Sequence, residues 1–172
     1  YLLLGLVAAN SAGKAAILFY LLAYAVANLG ALGIVALLGT AERPHDQLRD
    51  FAGLSKARPG LAGLLTVFLL SLGGFPPTAG FIGKWYIFNA AVQEGHYWLA
   101  IIGVLTSVVS VFFYLRIIVM MYMTEEAAGA VRPRVSLPSM LALGFALVAT
   151  FYLGVLPTRV LDYALQSIQT IF

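Results

Sequence analysis

Ala15 to Leu38 is a run of 24 residues without a single charge. About 20 predominantly apolar residues in a helix cross the hydrocarbon core of a bilayer, so this run is long enough to span one. It has company. Tyr1–Ala9 reads as the end of another span, 60–92 as a long apolar segment interrupted in its middle, and 98–123 and 137–156 as two more spans. Charge is scarce to match: 62% of the 172 residues are hydrophobic and 10% are charged, against about 25% charged in a soluble domain. So few charges cannot clothe a water-facing surface, and lipid must be the solvent for most of the outside. In lipid, each backbone N–H and C=O has to be paired within its own element. The apolar runs are continuous rather than alternating with period two, which favours helices over a barrel. The expected fold is all-α, a polytopic transmembrane helix bundle forming one membrane domain over residues 1–172.

The polar segments set the orientation. Asn10, Ser11, Gly13 and Lys14 read as a short turn, and 39–59 as the longest polar stretch, with Glu42, Arg43, Asp46, Arg49, Asp50, Lys56 and Arg58. A tight turn follows at 93–97, a loop at 124–136, and Pro157 ends the last span. Arg43, Arg49, Lys56, Arg58, Arg116, Arg132 and Arg134 fall towards one set of helix ends, whereas Lys14 and Arg159 fall at the other. Basic loops stay on the cytoplasmic side, which places 93–97 and the tail outside. In that tail, 158–172, Val160, Leu161, Ala164, Leu165, Ile168, Ile171 and Phe172 recur at helical spacing opposite Arg159, Asp162, Gln166 and Gln169. The pattern suits a helix lying in the membrane interface; the plainer reading is an extension of the last span. The net charge of +3 serves orientation rather than nucleic-acid binding. The chain has no cysteine, so it supplies no disulfide, thiolate metal site or Fe–S ligand. It opens at Tyr1 inside an apolar run, without the pattern of a signal peptide, and reads as a piece of a longer chain.

The interruption within 60–92 carries the chemistry. Leu61–Leu72 as a helix is about 18 Å long, too short to span. Gly73, Gly74, Phe75, Pro76 and Pro77 then stop it, because proline donates no N–H and clashes with the preceding turn. Thr78 is placed to cap a second half-helix, 79–92. Irregular backbone at membrane depth survives only where protein buries it or a wet cavity meets it, and transporters use such breaks as ion sites. Lys84 lies about two turns into the second half, with Phe81, Ile82, Trp85, Tyr86, Ile87 and Phe88 around it. A charged lysine near the bilayer centre costs roughly 2.5–3.5 kcal/mol. Pairing, water or loss of the proton offsets that cost, and a lysine able to take and release a proton is a relay element. The bland alternative is a lysine that snorkels to the headgroups.

Two stripes suggest a wet interior. Tyr20, Tyr24 and Asn28 share one helix face, as do Thr106, Ser110 and Tyr114, with Ser107 alongside. Tyr24 and Asn28 are candidates for a polar wire. The serines and threonines read as interhelical glue. His45, His96 and the Glu125–Glu126 pair form no metal-ligand constellation, and no Walker loop, dinucleotide fingerprint or nucleophile elbow is present.

The segment 70–88, LSLGGFPPTAGFIGKWYIF, resembles the antiporter-like membrane subunits of respiratory complex I, NADH–quinone oxidoreductase, and most closely their N-type branch. Three further stretches are similar to that family: 18–30 (LFYLLAYAVANLG), 50–59 (DFAGLSKARP) and 113–116 (FYLR). The resemblance implies a fold of two inverted five-helix repeats, of which this chain holds most of the second plus the final helix. It implies that Lys84 is the outward-side proton carrier and that the family's other carriers lie upstream. Where the larger sister subunits have histidine and lysine, this chain has Tyr24 and Asn28, so the wire there runs through water or hydroxyls. By the same resemblance, the function is proton translocation coupled to quinone reduction in a bacterial inner membrane. NADH, flavin (FMN), Fe–S clusters and quinone belong to partner subunits, with no cofactor or metal in this chain. Its partners are lipid and other membrane subunits, homologous ones included. The alternative is a subunit of a multi-subunit cation/proton antiporter.

Overall fold

A computed structural model describes residues 1–8, 10–39, 47–125 and 135–171. Helix α1 covers Leu2–Ala8, α2 Ser11–Leu38, α3 Leu54–Ala57, α4 Pro59–Gly73, α5 Ala79–Gln93, α6 Tyr97–Met123, α7 Leu137–Val155 and α8 Thr158–Ile171. Among the described residues, α2, α6 and α7 are long and apolar enough to cross a membrane. Helices α4 and α5 have 15 residues each. Each reaches about 22 Å, short of the ~30 Å hydrocarbon core.

The turn expected at Asn10–Lys14 is instead the start of α2. Asn10 alone interrupts the chain, and its Oδ1 accepts a hydrogen bond from Gly13 N at 2.6 Å. That bond satisfies one of the free amides of a first helical turn, so Ser11 to Lys14 can wind rather than loop. Part of the polar stretch after α2 is helical too. Leu48–Phe51 forms a 3-10 turn, Gly53 turns the chain at φ +67, and Pro59 opens α4 where its missing N–H costs nothing. Glu42, Arg43, His45, Asp46, Glu126, Arg132, Arg134 and Phe172 lie outside the described residues.

Two hydrogen bonds tie the helix ends together. Asn10 Nδ2 donates to Glu94 Oε1 at 2.7 Å, joining the start of α2 to the end of α5. At the opposite end, Gly53 N donates to Met120 O at 3.3 Å, joining the polar stretch to the end of α6. Arg49, Lys56 and Arg58 therefore lie on the Met123 side, and Lys14 on the Glu94 side.

Helix α2 is the hub, packing on α4, α5, α7 and α8. On the Met123 side the core holds Ile34, Leu38, Leu65, Phe68, Met121 and Leu143. On the other, Phe19 and Ala23 of α2 meet Ala79, Leu153 and Leu161. Helix α8 is a separate helix beyond Pro157 rather than an extension of α7. Leu161, Ala164 and Ile168 of its apolar stripe bury against α2 at Phe19 and Ala15, so protein covers much of the face that the pattern alone would give to lipid. Much of α6 faces outward through Ile101, Leu105, Val108, Val109 and Phe112.

Candidate functional site

Helix α4 ends in a hydrogen-bonded lock. Gly74 takes the left-handed conformation at φ +87, Phe75 N donates to Leu70 O at 3.0 Å, and Gly74 N donates to Ser71 O at 3.0 Å. This is the glycine-terminated closure common at helix C-termini. Thr78 stands at the start of α5 with extended backbone, but its side chain makes no cap. Its Oγ1 turns back and donates to Phe75 O at 2.5 Å. Proline cannot donate to that carbonyl, so the Thr78 hydroxyl and the Thr78 amide both serve it. The first turn of α5 is capped from across the break, where Ser71 Oγ of α4 accepts from Gly80 N at 3.3 Å.

The two half-helices touch backbone to backbone at this point. A Cβ on Gly80 would lie 1.8 Å from Ser71 O. On the far side, α7 presses on the prolines: a Cβ on Gly154 would lie 2.1 Å from Pro77 O. This crowding carries α5 past the end of α4 at an angle that delivers Lys84 to it.

Lys84 is 5% exposed. Its Nζ donates to Gly73 O at 2.8 Å, to Ser107 Oγ at 2.9 Å and to Leu72 O at 3.1 Å. Both carbonyls belong to the last turn of α4, where intrahelical partners run out and the helix dipole is negative. The Tyr1 ring lies with its centroid 4.9 Å from Nζ, a cation–π distance. Gly74 leaves the room for this seat, since a Cβ there would come within 3.0 Å of Lys84 Cδ and 3.3 Å of Nζ. The three donors of an ammonium are thus matched by three acceptors. Among the described residues, no carboxylate is hydrogen-bonded to it, and no cluster of His, Asp or Glu could hold a metal ion.

Two unlike spaces lie around the Lys84 region, and Lys84 itself lines the second. On one side is a chamber of about 410 Å³ lined by Tyr1, Tyr20, Tyr24, Ser110 and Tyr114 together with leucines. A gap of about 10 Å³, bounded by Tyr20, Tyr24, Ser71 and Gly80, also reaches Lys84. That is about the space one water needs. On the other side is a cleft of about 280 Å³ with Phe75, Phe81, Trp85, Phe88 and Val108 in its walls.

Of the candidate wire, Tyr24 lines both the chamber and the narrow gap and stacks on Tyr20 with centroids 5.8 Å apart. Asn28 is not brought to Lys84. Its Nδ2 donates to Tyr24 O at 2.9 Å, within its own helix. Gly73, Gly74, Pro76 and Pro77 all meet at the break. Sequence reasoning missed Ser107, taken for glue, and also Ser71, Tyr1 and the two carbonyls. The carbonyls had a signal: they are the last two before Gly74, where a stopped helix leaves acceptors free. Ser71 and Gly80 had none, since their contact exists only once the chain doubles back.

Comparison with known proteins adds the context. Residues 1–110 match the family described as "NADH:quinone oxidoreductase/Mrp antiporter, TM". The chain is 43% identical over 171 residues to the NADH-quinone oxidoreductase subunit N of Trichlorobacter lovleyi, covering 99% of this chain and 35% of that protein. It is 53% identical over 137 residues to the subunit of the same name from Bdellovibrio bacteriovorus, covering 75% and 28%. It thus spans about a third of the length of such relatives. Among solved structures, it superposes on a chain of respiratory complex I from Thermus thermophilus with bound aureothin at TM-score 0.76 and 30% identity, covering 94% of this chain and 36% of that one. A chain of the Mrp complex from Dietzia sp. DQ12-45-1b gives TM-score 0.82 at 22% identity, covering 96% and 39%. This last likeness speaks for the fold alone.

Proposed function

Since the chain belongs to the NADH:quinone oxidoreductase/Mrp antiporter transmembrane family, we propose that it is part of a proton-translocating membrane subunit of NADH–quinone oxidoreductase, with Lys84 as a proton carrier. The observation that carries the reading is the seat of Lys84: a buried amine held by two backbone carbonyls and one hydroxyl, with no hydrogen-bonded carboxylate among the described residues. A permanent ion pair would hold the lysine charged. Carbonyl dipoles, a hydroxyl and an aromatic face stabilise the ammonium without doing so, and the hydroxyl can also serve the neutral amine. The hydroxyl-lined chamber supplies polar groups for water on one side.

The rest of the assignment follows from this reading. The protein is multi-pass in a bacterial inner membrane, with Arg49, Lys56 and Arg58 cytoplasmic and Glu94 and His96 outside. The outward faces of α6 and α7 bury against lipid and homologous membrane subunits. This chain binds no cofactor; NADH, flavin, Fe–S clusters and quinone sit on partner subunits, whose electron transfer drives the proton at Lys84. Identity to the relatives named as oxidoreductase subunits favours this reading over an independent cation/proton antiporter.

The test is Lys84→Arg and Lys84→Ala in the complete subunit within the assembled complex, read as proton pumping and quinone-reductase turnover in sealed vesicles. Both variants lose coupled pumping, because arginine is effectively never deprotonated and alanine carries nothing. A snorkelling lysine makes the opposite forecast for arginine. Normal assembly with wild-type pumping in Lys84→Arg would overturn the assignment.

A further inference from the structure

Lys84 has three partners, and they are not equivalent. Leu72 O and Gly73 O are carbonyls, which can only accept. Ser107 Oγ can both accept and donate. We propose that Ser107 is the hydroxyl through which Lys84 exchanges its proton, and that the exchange runs along α6 towards the tyrosine-lined chamber. The inference rests on the reading of Lys84 as a carrier and adds to it the atom and the direction of transfer.

The chemistry decides between the partners. A deprotonated amine keeps two N–H donors and gains a lone pair, which then needs a donor. The two carbonyls cannot supply one but can keep the two N–H bonds they already receive. The third position faces Ser107 Oγ at 2.9 Å, and there the polarity of the bond can reverse. In the step, the Nζ–H bond facing Ser107 breaks and its electron pair stays on Nζ as the lone pair. That proton forms a new Oγ–H bond. The hydrogen that Oγ carried before passes to a water, which leaves as hydronium. The new Oγ–H points back at the amine and holds it. Recharging is the same step reversed.

Further hydroxyls for a receiving water lie on the chamber side, one turn along α6 from Ser107. Ser110 and Tyr114 follow Ser107 by three and seven residues on α6, so the three hydroxyls share one helix face. Ser110 and Tyr114 both line the chamber with Tyr1, Tyr20 and Tyr24. Ser110 Oγ donates to Thr106 O at 3.1 Å, which leaves its lone pairs open to a water. The opposite cleft, which Ser107 and Lys84 themselves line, is otherwise walled mainly by aromatic and valine side chains and offers no hydroxyl beyond Ser107 to pass a proton onward.

The experiment uses the complete subunit in the assembled complex, in sealed vesicles, with Lys84→Arg, Ser107→Ala and Ser107→Thr side by side. Pumping and quinone-reductase turnover are read with assembly checked on native gels. Loss of pumping in Ser107→Ala, matching Lys84→Arg, with pumping retained in Ser107→Thr, is the expected result. The threonine rescue separates a hydroxyl requirement from a packing role. If Lys84→Arg fails to pump and Ser107→Ala pumps as wild type, the Ser107 proposal falls and the lysine reading stands. If Lys84→Arg pumps normally, both fall. Loss in Ser107→Ala and Ser107→Thr alike assigns Ser107 to packing and also overturns the proposal. Should Ser107→Ala fail to assemble, Ser107→Gly takes its place. It removes the hydroxyl without adding volume, so it is expected to lose pumping, and wild-type pumping there counts against the proposal.

Discussion

Gly80→Ala should disable the Lys84 site without touching the lysine. The added Cβ would lie 1.8 Å from Ser71 O and 2.8 Å from Ser71 C. A carbon and a carbonyl oxygen in contact sit roughly 3.3–3.6 Å apart, so α5 and the last turn of α4 must separate by about 1.5 Å. No flexible side chain can absorb this, because both clashing atoms are backbone. The Lys84 Nζ bonds to Gly73 O and Leu72 O, at 2.8 and 3.1 Å, span the same junction. Lengthened by such a shift they pass beyond hydrogen-bonding distance. Overpacking of this kind costs about 1–3 kcal/mol, and each charge-assisted bond lost removes about 1.5–3 kcal/mol more. The Gly80 N to Ser71 Oγ cap goes with them. Gly63→Ala is the control: nothing lies within 4 Å of a Cβ there, and alanine in a helix gains about 0.5–1 kcal/mol over glycine. The assay is thermal loss of the assembled complex together with its proton pumping. Gly80→Ala should lower both, while Gly63→Ala leaves pumping unchanged and stability equal or higher. Wild-type stability and pumping in Gly80→Ala would show that the half-helices are not held as described.

Two further outcomes test the frame around the site. Cysteines placed at Ser55 and Gln169 of an otherwise cysteine-free chain should label from opposite sides of the membrane, since α3 lies on the Met123 side and α8 on the other; labelling from one side would refute the arrangement of helix ends. Asn10→Ala removes the cap on Gly13 N and the bond to Glu94. It should cost about 0.5–2 kcal/mol and raise hydrogen exchange at the amides of 11–13; unchanged protection would mean that the cap is dispensable.

Much of this was legible in the chain, for reasons that are local. A span is written in consecutive residues, so α2, α6 and α7 are visible as apolar runs. The stop at Gly73 and Gly74 and the prolines at 76 and 77 act on their own turns, which is why the interruption can be located without coordinates. Lys84 stands out because charge is costly where it lies. The missing parts are those that depend on distance in space. Ser107 and Lys84 are 23 residues apart, and nothing near Ser107 distinguishes it from Ser110 or Thr106 as a partner. Tyr1 meets Lys84 only because α1 folds against α5. Asn10 was misjudged in the other direction, because a polar residue between apolar runs suits a helix cap and a loop equally well, and only the bond to Gly13 N separates them.

The contact between Gly154 and Pro77 bears on tempo. With α7 backbone against one side of the prolines and Ser71 against Gly80 on the other, the break is wedged in place. Opening it as a hinge would require α7, α4 and α5 to part together, a collective motion of the microsecond-to-millisecond kind. What can change without parting the helices is small: the three hydrogen bonds at the tip of one lysine and the rotor of one serine hydroxyl. With the role proposed for Lys84, such a site is a valve in a stationary wall, and its pace is set by how often the wall is hydrated.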